Sequence, residues 1–365
     1  MIFAKKMKKI KLSIDYPKEW VIRQTPNNDG IWGDYKFYIN DDIDECDYWV
    51  VYGKGINKKE SCIVPNNHTI LMIGEPTSVY RYNKIYMNKF GVVVSCDEKT
   101  DAVNNVMFNQ PSIPWWISIE NANVKRVTDK NRIKIDNASG EDILVVNKKY
   151  SDFVKQNEVE KNRLISVMVS NKTITKGHRD RLEFVDTLKQ YFGDVVDVFG
   201  RGYNEVRDKD DAIRDYKYHV VLENYSTRYY WTEKLADSLL GNSYPIYYGC
   251  TNINEYFPKE ALSIINIYDV EKSICQIKKI IEQDIYSKRI NELFLSKQLV
   301  LEKYNLFPQI IKYCELIGCS NEKKKVELGS DKAYMDFNKA FLFASRLYNV
   351  ACSKVFAISG YDNKD

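Results

Sequence analysis

No stretch of this sequence reaches the ~18 consecutive apolar residues of a membrane-spanning helix, so no segment of it is expected to cross a bilayer. Charge of one sign is scarce too: 54 basic against 50 acidic residues leave only +4, too weak a global field to draw nucleic acid. Any anion site has to be local. Cysteine is thinly spread, and its closest pair, Cys314 and Cys319, has neither zinc-knuckle spacing nor a neighbouring histidine. The cysteines therefore read as reduced thiols, and no metal is expected. The opening "MIFAKKMKKIKLSID" is interrupted by lysines before an apolar core of ~7 residues can form, unlike a secretory signal. Internal repeats and low-complexity runs are missing as well. These absences together lead to the expectation of a cytoplasmic protein.

What is present is a folded composition, 44% hydrophobic with 13% aromatics, well clear of disorder. A chain of 365 residues exceeds the usual domain of roughly 100–200 residues, which predicts two domains. In the first part, "KIKLSID", "KFYIN", "YWVVYG", "TILMIG" and "VVVSC" read as strands and "SVYRYNKIYMNKFG" as a tyrosine-rich helix. Periodicity fades between Pro111 and Asn157, which places the boundary near 157. A second series follows from 158 to 330: strand "RLISVMVS", helix "HRDRLEFVDTLKQYFG", strand "VVDVFG", helix or turn "NEVRDKDDAIRDY", strand "YHVVLEN", helix "TEKLADSLLGN", strand "SYPIYYG" and then "ALSIINI". Strands separated by helices imply parallel crossovers with both sheet faces covered. Residues 331–365 read as a helical extension docked on the protein, with peripheral membrane contact as the alternative.

The stretch "VVLENYSTRYYWTEKLADSLLGNSYPIYYG", residues 220–249, holds the densest polar crowd between apolar runs. "YHVVLEN" reads as a buried strand, Thr232 as the cap of the next helix, and Leu235, Leu239 and Leu240 as its apolar face. Residues 223–234 then lie just beyond a parallel strand, where open α/β sheets bind ligands. Lys234 stands in the first helical turn, where the macrodipole disfavours a cation. That placement makes sense if the ammonium and free N–H groups share a phosphate. Glu233 suits the dipole by itself or binds a hydroxyl; Asn224 and Tyr230 offer bonds to a sugar or pyrophosphate edge; Tyr229 and Trp231 read as packing.

From Tyr216 to Pro258 this run resembles the donor-site motif of the α1,3-fucosyltransferases, glycosyltransferase family 10. There a strand ending in Phe-Glu-Asn-Ser/Thr is followed by a loop, Tyr-Val/Ile-Thr-Glu-Lys, and a small-residue turn. Leu222, Tyr225 and Trp231 depart from the pattern, replacing Phe, Ser/Thr and Val/Ile. The resemblance implies that Asn224, Tyr230, Glu233 and Lys234 contact a nucleotide sugar. Upstream, "VSNKTITKGHRDRLEFVDTLKQYF" is similar to the stretch that carries a diphosphate-binding Arg, here Arg181 with Arg179 as rival. "DVVDVFGRGYN" offers Gly200 and Gly202 for close backbone approach.

"TILMIGEPTSVYRYNKIYMNKFGVVVSCDE" resembles the family's catalytic-base region. Glu75 follows an apolar strand and precedes Pro76, and a charge there is not what a core selects. It is the candidate base, with a capping or surface role as the other reading. His68 and His178 sit in polar, loop-like contexts, whereas His219 falls inside a strand and reads as packed. The acidic runs "NDDIDECD" and "DKDD" read as solvated loops rather than a metal motif, and Trp115 and Trp116 as either sugar-stacking or core residues.

The resemblance implies the GT-B architecture: two Rossmann-like domains facing across a cleft, acceptor on the N-terminal side and donor on the C-terminal side. It implies inverting, metal-independent transfer of L-fucose from GDP-fucose to a glycan hydroxyl, α1,3 to N-acetylglucosamine or glucose. No cofactor beyond the donor substrate is expected. The competing expectations are another nucleotide sugar on the same fold, or a silent glycan-binding module.

Overall fold

The computed structural model describes residues 6–100, 105–121, 124–129, 132–137, 144–156, 160–173, 175–320 and 322–334. The first sheet has seven strands, β1 (Lys8–Ile14), β2 (Ile31–Trp32), β3 (Tyr35–Ile39), β4 (Tyr48–Tyr52), β6 (Thr69–Met72), β7 (Val92–Ser95) and β8 (Val106–Phe108), in the order β2-β3-β1-β4-β6-β7-β8. All its pairings are parallel except β2 with β3. Strand β4 is buried along its whole length, as a strand covered on both faces must be. Chain order reverses at β1, which has β3 on one side and β4 on the other.

The second sheet follows the same logic with five strands: β13 (Arg163–Met168), β14 (Val196–Phe199), β15 (Tyr216–Leu222), β16 (Tyr244–Tyr248) and β17 (Ser263–Ile264), ordered β14-β13-β15-β16-β17 and parallel throughout. Its reversal lies at β13. Helices α4 (Lys176–Phe192), α5 (Asp210–Ile213), α6 (Glu233–Leu240) and α7 (Val270–Glu282) make the crossovers and flanks, followed by α8 (Ile285–Lys288) and α9 (Ile290–Glu302). The residues beyond β6 and β7 of the first sheet meet those beyond β15 of the second: the Tyr230 hydroxyl donates to Glu75 at 3.5 Å, and Lys99 to the Tyr225 hydroxyl at 3.1 Å. Two parallel sheets with their carboxyl ends turned toward each other make the GT-B arrangement expected from the sequence.

Three departures have physical causes. The tyrosine-rich helix shrinks to α2 (Lys84–Met87), because Asn83 caps it only there and the preceding Tyr80 and Asn83 are held by Asp331. Between the sheets, the aperiodic stretch forms short antiparallel pairs, β10 (Val124–Asp129) with β11 (Arg132–Asn137) and β9 (Ile119–Asn121) with β12 (Leu144–Val146), then α3 (Tyr150–Lys155). And the range 158–330 is not one body in space. Helix α10 (Leu306–Ile317) inserts Phe307 and Ile310 into the core of the first sheet, and β18 (Lys323–Leu328) pairs with β5 (Glu60–Pro65). Of the expected terminal helix, residues 331–334 form a single 3₁₀ turn and the remainder lies outside the described residues. No helix among the described residues is long and apolar enough to cross a membrane.

Candidate active site

Each sheet presents a crevice where its strand order reverses, the usual ligand position in open α/β sheets. In the second sheet the crevice lies between the ends of β13 and β15 and is roofed by the start of α4. Thr175 caps that helix, and Gly177 lies so near the end of β15 that an added Cβ would stand 2.0 Å from the Asn224 carbonyl oxygen. A side chain there would drive helix and strand apart. Arg181, one turn further on, is buried and donates through Nη1 to the Leu222 carbonyl at 3.1 Å and through Nε to that of Gly177 at 3.3 Å. Burial lowers its pKa, with Glu223, Tyr230 and Glu233 acting in the opposite direction. Its rival Arg179 is exposed and tied to the Thr173 carbonyl.

The charge around this helix start is collectively positive. His178 is not in a polar loop but in the first turn of α4, and its pKa is lowered to about 4 by partial burial and by Arg181, Lys172, Lys234 and Arg179. An imidazole so discouraged from taking a proton marks a field suited to an anion. His68, by contrast, is buried under Tyr48 and bonds the Asp47 carbonyl. His219 is packed inside β15 against Ser166, its pKa lowered to about 3 by burial and by Lys209 and Lys161.

Beyond β15, Glu223 organises the loop, a role missed in the sequence although it carries the same signal as Glu75, a charge closing a buried strand. Its fully buried carboxylate accepts from the Thr232 N–H at 2.8 Å and from the Thr232 hydroxyl at 2.9 and 3.0 Å, and pairs with Lys234 at 3.4 Å. Burial raises the Glu223 pKa against the opposing pull of Lys234. Lys234 also meets Glu233 at 3.3 Å. These two carboxylates outweigh the effect of burial and raise the Lys234 pKa, so they account for a cation at this helix start without any ligand. Glu233 would be raised by burial, but Lys234 and Lys209 dominate and hold it at about 2. Asn224 keeps a buried side-chain oxygen with no protein partner, an open acceptor beside the crevice.

Tyr230 is buried with its hydroxyl on Glu75, whereas Trp231 packs among Tyr256, Phe257 and Tyr304 as the sequence indicated. Tyr229 is only half-buried, in the left-handed region (φ 66°), and stacks on Phe108 of the first sheet. Gly200 and Gly202 do approach backbone and side chain closely, but those of the loop after β13: added Cβ atoms would lie 1.9 Å from the Val169 carbonyl oxygen and 2.9 Å from Asn171. Their positive φ values, 113° and 88°, suit glycine.

Across the cleft, Glu75 stands just past β6. Gly74 before it packs on the Tyr52 hydroxyl, and the Thr77 N–H after it bonds Asp97 at 2.9 Å, so the turn is held from both sides. Solvent reaches the carboxylate, yet the surrounding cleft desolvates it enough to raise its pKa, against the opposing charge of Lys234. The acidic run "DKDD" is not a solvated loop. Asp208 and Asp210 are buried, Asp208 accepting from the Ser118 N–H and Asp210 pairing with Lys148 and Arg214. Trp115 and Trp116 part company: Trp115 is core, while Trp116 is 42% exposed. All seven described cysteines are free.

The profile of glycosyltransferase family 10 (fucosyltransferase), C-terminal domain, matches residues 158–324. The α-(1,3)-fucosyltransferase FucT of Helicobacter pylori is 31% identical over 78 residues, a match spanning 21% of this chain and only 16% of that protein. Among solved structures, an α1,3-fucosyltransferase with GDP-fucose aligns at TM-score 0.48 and 16% identity over 88% of this chain and 93% of that one. An α1,3-fucosyltransferase with GDP aligns at 0.45 and 15% identity over 84% and 94%. Residues 158–324 thus resemble the C-terminal domain of glycosyltransferase family 10.

Proposed function

We propose that this chain is an inverting, metal-independent fucosyltransferase that moves L-fucose from GDP-fucose to a hydroxyl of a glycan acceptor, α1,3 to N-acetylglucosamine or glucose. The observation that carries the reading is one carboxylate, Glu75, facing a positive crevice built from Arg181, Lys234 and the start of α4. Glu75 takes the acceptor hydroxyl proton as that oxygen attacks the anomeric carbon from the face opposite the diphosphate. The bond from the anomeric carbon to phosphate oxygen breaks and GDP departs with the electron pair. Charge therefore builds on the diphosphate, where preorganised cations contribute most. Arg181 and Lys234 offset it, Glu223 and Glu233 keep Lys234 charged and aimed, and Asn224 and Tyr230 bond the sugar nucleotide. Tyr230 also holds Glu75 in place.

The test pairs calorimetry with transfer assays. Glu75→Gln is expected to abolish transfer while GDP affinity stays near wild type, and normal transfer by this variant would remove Glu75 from the role. Lys234→Ala should weaken GDP binding by on the order of 1.5–3 kcal/mol, the loss of a charge-assisted contact. Because the Glu75 pKa is raised, kcat/KM should fall on the acidic side at a pH above an ordinary carboxylate's titration. Preference for UDP over GDP would discard fucose, and binding of neither nucleotide would discard transfer altogether.

A further inference from the structure

The first sheet has its own reversal crevice, between β1 and β4, and aromatic rings fill its mouth. Tyr16 lies two residues past the end of β1; its ring centroid lies 6.1 Å from that of Tyr52 at the end of β4 and 4.9 Å from that of Trp20. Trp20 in turn meets Trp116 edge-on at 4.9 Å. The row begins beside the transfer site: Tyr16 feels the charges of Glu233 and Glu75, which add to burial in raising its hydroxyl pKa. It ends on the exposed ring of Trp116.

That ring is held from several sides. Its backbone N–H bonds Asp237 Oδ1 at 3.0 Å, the Lys209 ammonium lies 5.3 Å from the ring centroid, and Lys209 is fixed by Asp237 at 2.9 Å and Glu233 at 3.7 Å. An exposed indole immobilised next to a cleft is a surface prepared for a ligand with an apolar face and polar edges. A sugar ring fits that description, since its axial C–H groups form one face and its hydroxyls the rim.

We propose that Tyr16 and Trp116, joined through the buried ring of Trp20, form the acceptor platform, with Trp116 stacking on the sugar ring next to the one that receives the transfer. This rests on the transfer reading above. Two ring-to-ring steps of 4.9 Å link Tyr16 to Trp116 through Trp20, which sets the upper limit of the row's reach at about two hexose rings, so the acceptor it is matched to is a disaccharide. Trp116 is then a specificity-determining residue that distinguishes a disaccharide from a monosaccharide.

The experiment compares kcat/KM for N-acetyllactosamine with that for N-acetylglucosamine in the full chain, using GDP-fucose. Wild type should favour the disaccharide by roughly five- to tenfold, the scale of one aromatic contact. Trp116→Ala should bring the ratio near one through the disaccharide KM, and Trp116→Phe should restore most of it. GDP calorimetry on the same proteins reports that the donor site stays intact. Discrimination that survives Trp116→Ala, or a wild type that does not discriminate, overturns the platform while leaving transfer standing. A wild type that binds GDP but transfers to neither sugar overturns the transfer reading, and this inference with it.

Discussion

At the candidate donor crevice, His178 is the residue that feels the surrounding cations most plainly. Its pKa is lowered to about 4 by partial burial and four surrounding cations, against ~6.5 for a free histidine. In the unliganded protein the unfolded chain binds the extra proton between those two values, so His178 takes stability away as pH falls from ~6.5 toward 4. A diphosphate seated at the start of α4 reverses the field. We expect GDP to raise the His178 pKa, with proton uptake and tighter GDP binding as pH falls through that window. Imidazole titration by NMR with and without GDP checks this, and an unmoved pKa would put the diphosphate elsewhere. At this scale much was legible in the sequence. Glu75 and Lys234 stand out because charges next to buried strands and at the wrong helix end are anomalies. Glu223 shows the same anomaly and was hidden by its neighbours.

At the scale of elements, the decisive junction is α4 against β15. Only a hydrogen at Gly177 permits the helix start to reach the strand end, since a Cβ would lie 2.0 Å from the Asn224 carbonyl oxygen. Gly177 is not in the left-handed region, so alanine is resisted by packing alone. Gly177→Ala is expected to cost about 1–3 kcal/mol of stability and to weaken GDP binding by moving Arg181 away from the crevice. Denaturant titration and calorimetry measure both, and a variant with unchanged affinity would show that the junction does not shape the donor site. Sequence periodicity predicted both elements, since apolar alternation and the 3.6-residue repeat are local properties. It carried no signal for their close approach, because a glycine in a helix looks the same whether open space or a carbonyl lies beside it.

For the molecule as a whole, the two sheets are interlocked. Phe307 lies late in the chain, yet its ring stacks parallel to Trp32 at 6.4 Å and meets Phe37 edge-on at 4.7 Å, inside the core of the first sheet. Phe307→Ala should cost about 3–5 kcal/mol and raise hydrogen exchange in β1 and β3 before β13 and β15. Loss of protection confined to the second sheet would contradict this arrangement. Asp237 joins the halves from the other direction, since the helix α6 carboxylate holds the Trp116 and Ile117 N–H groups at 3.0 and 3.1 Å.

The sequence alone carries the two parallel sheets, the loop from Glu223 to Lys234 and the carboxylate that closes β6 at Glu75. Each is written in local patterning, where alternation, caps and misplaced charges lie within a few residues of one another. The tertiary structure alone decided that α10 and β18 return to the first sheet, that Trp116 and not Trp115 faces solvent, and that Asp208 and Asp210 are buried braces rather than a loop. Those outcomes depend on which distant surfaces meet, and burial of an apolar face or pairing of a buried charge is settled only when the partner arrives from elsewhere in the chain.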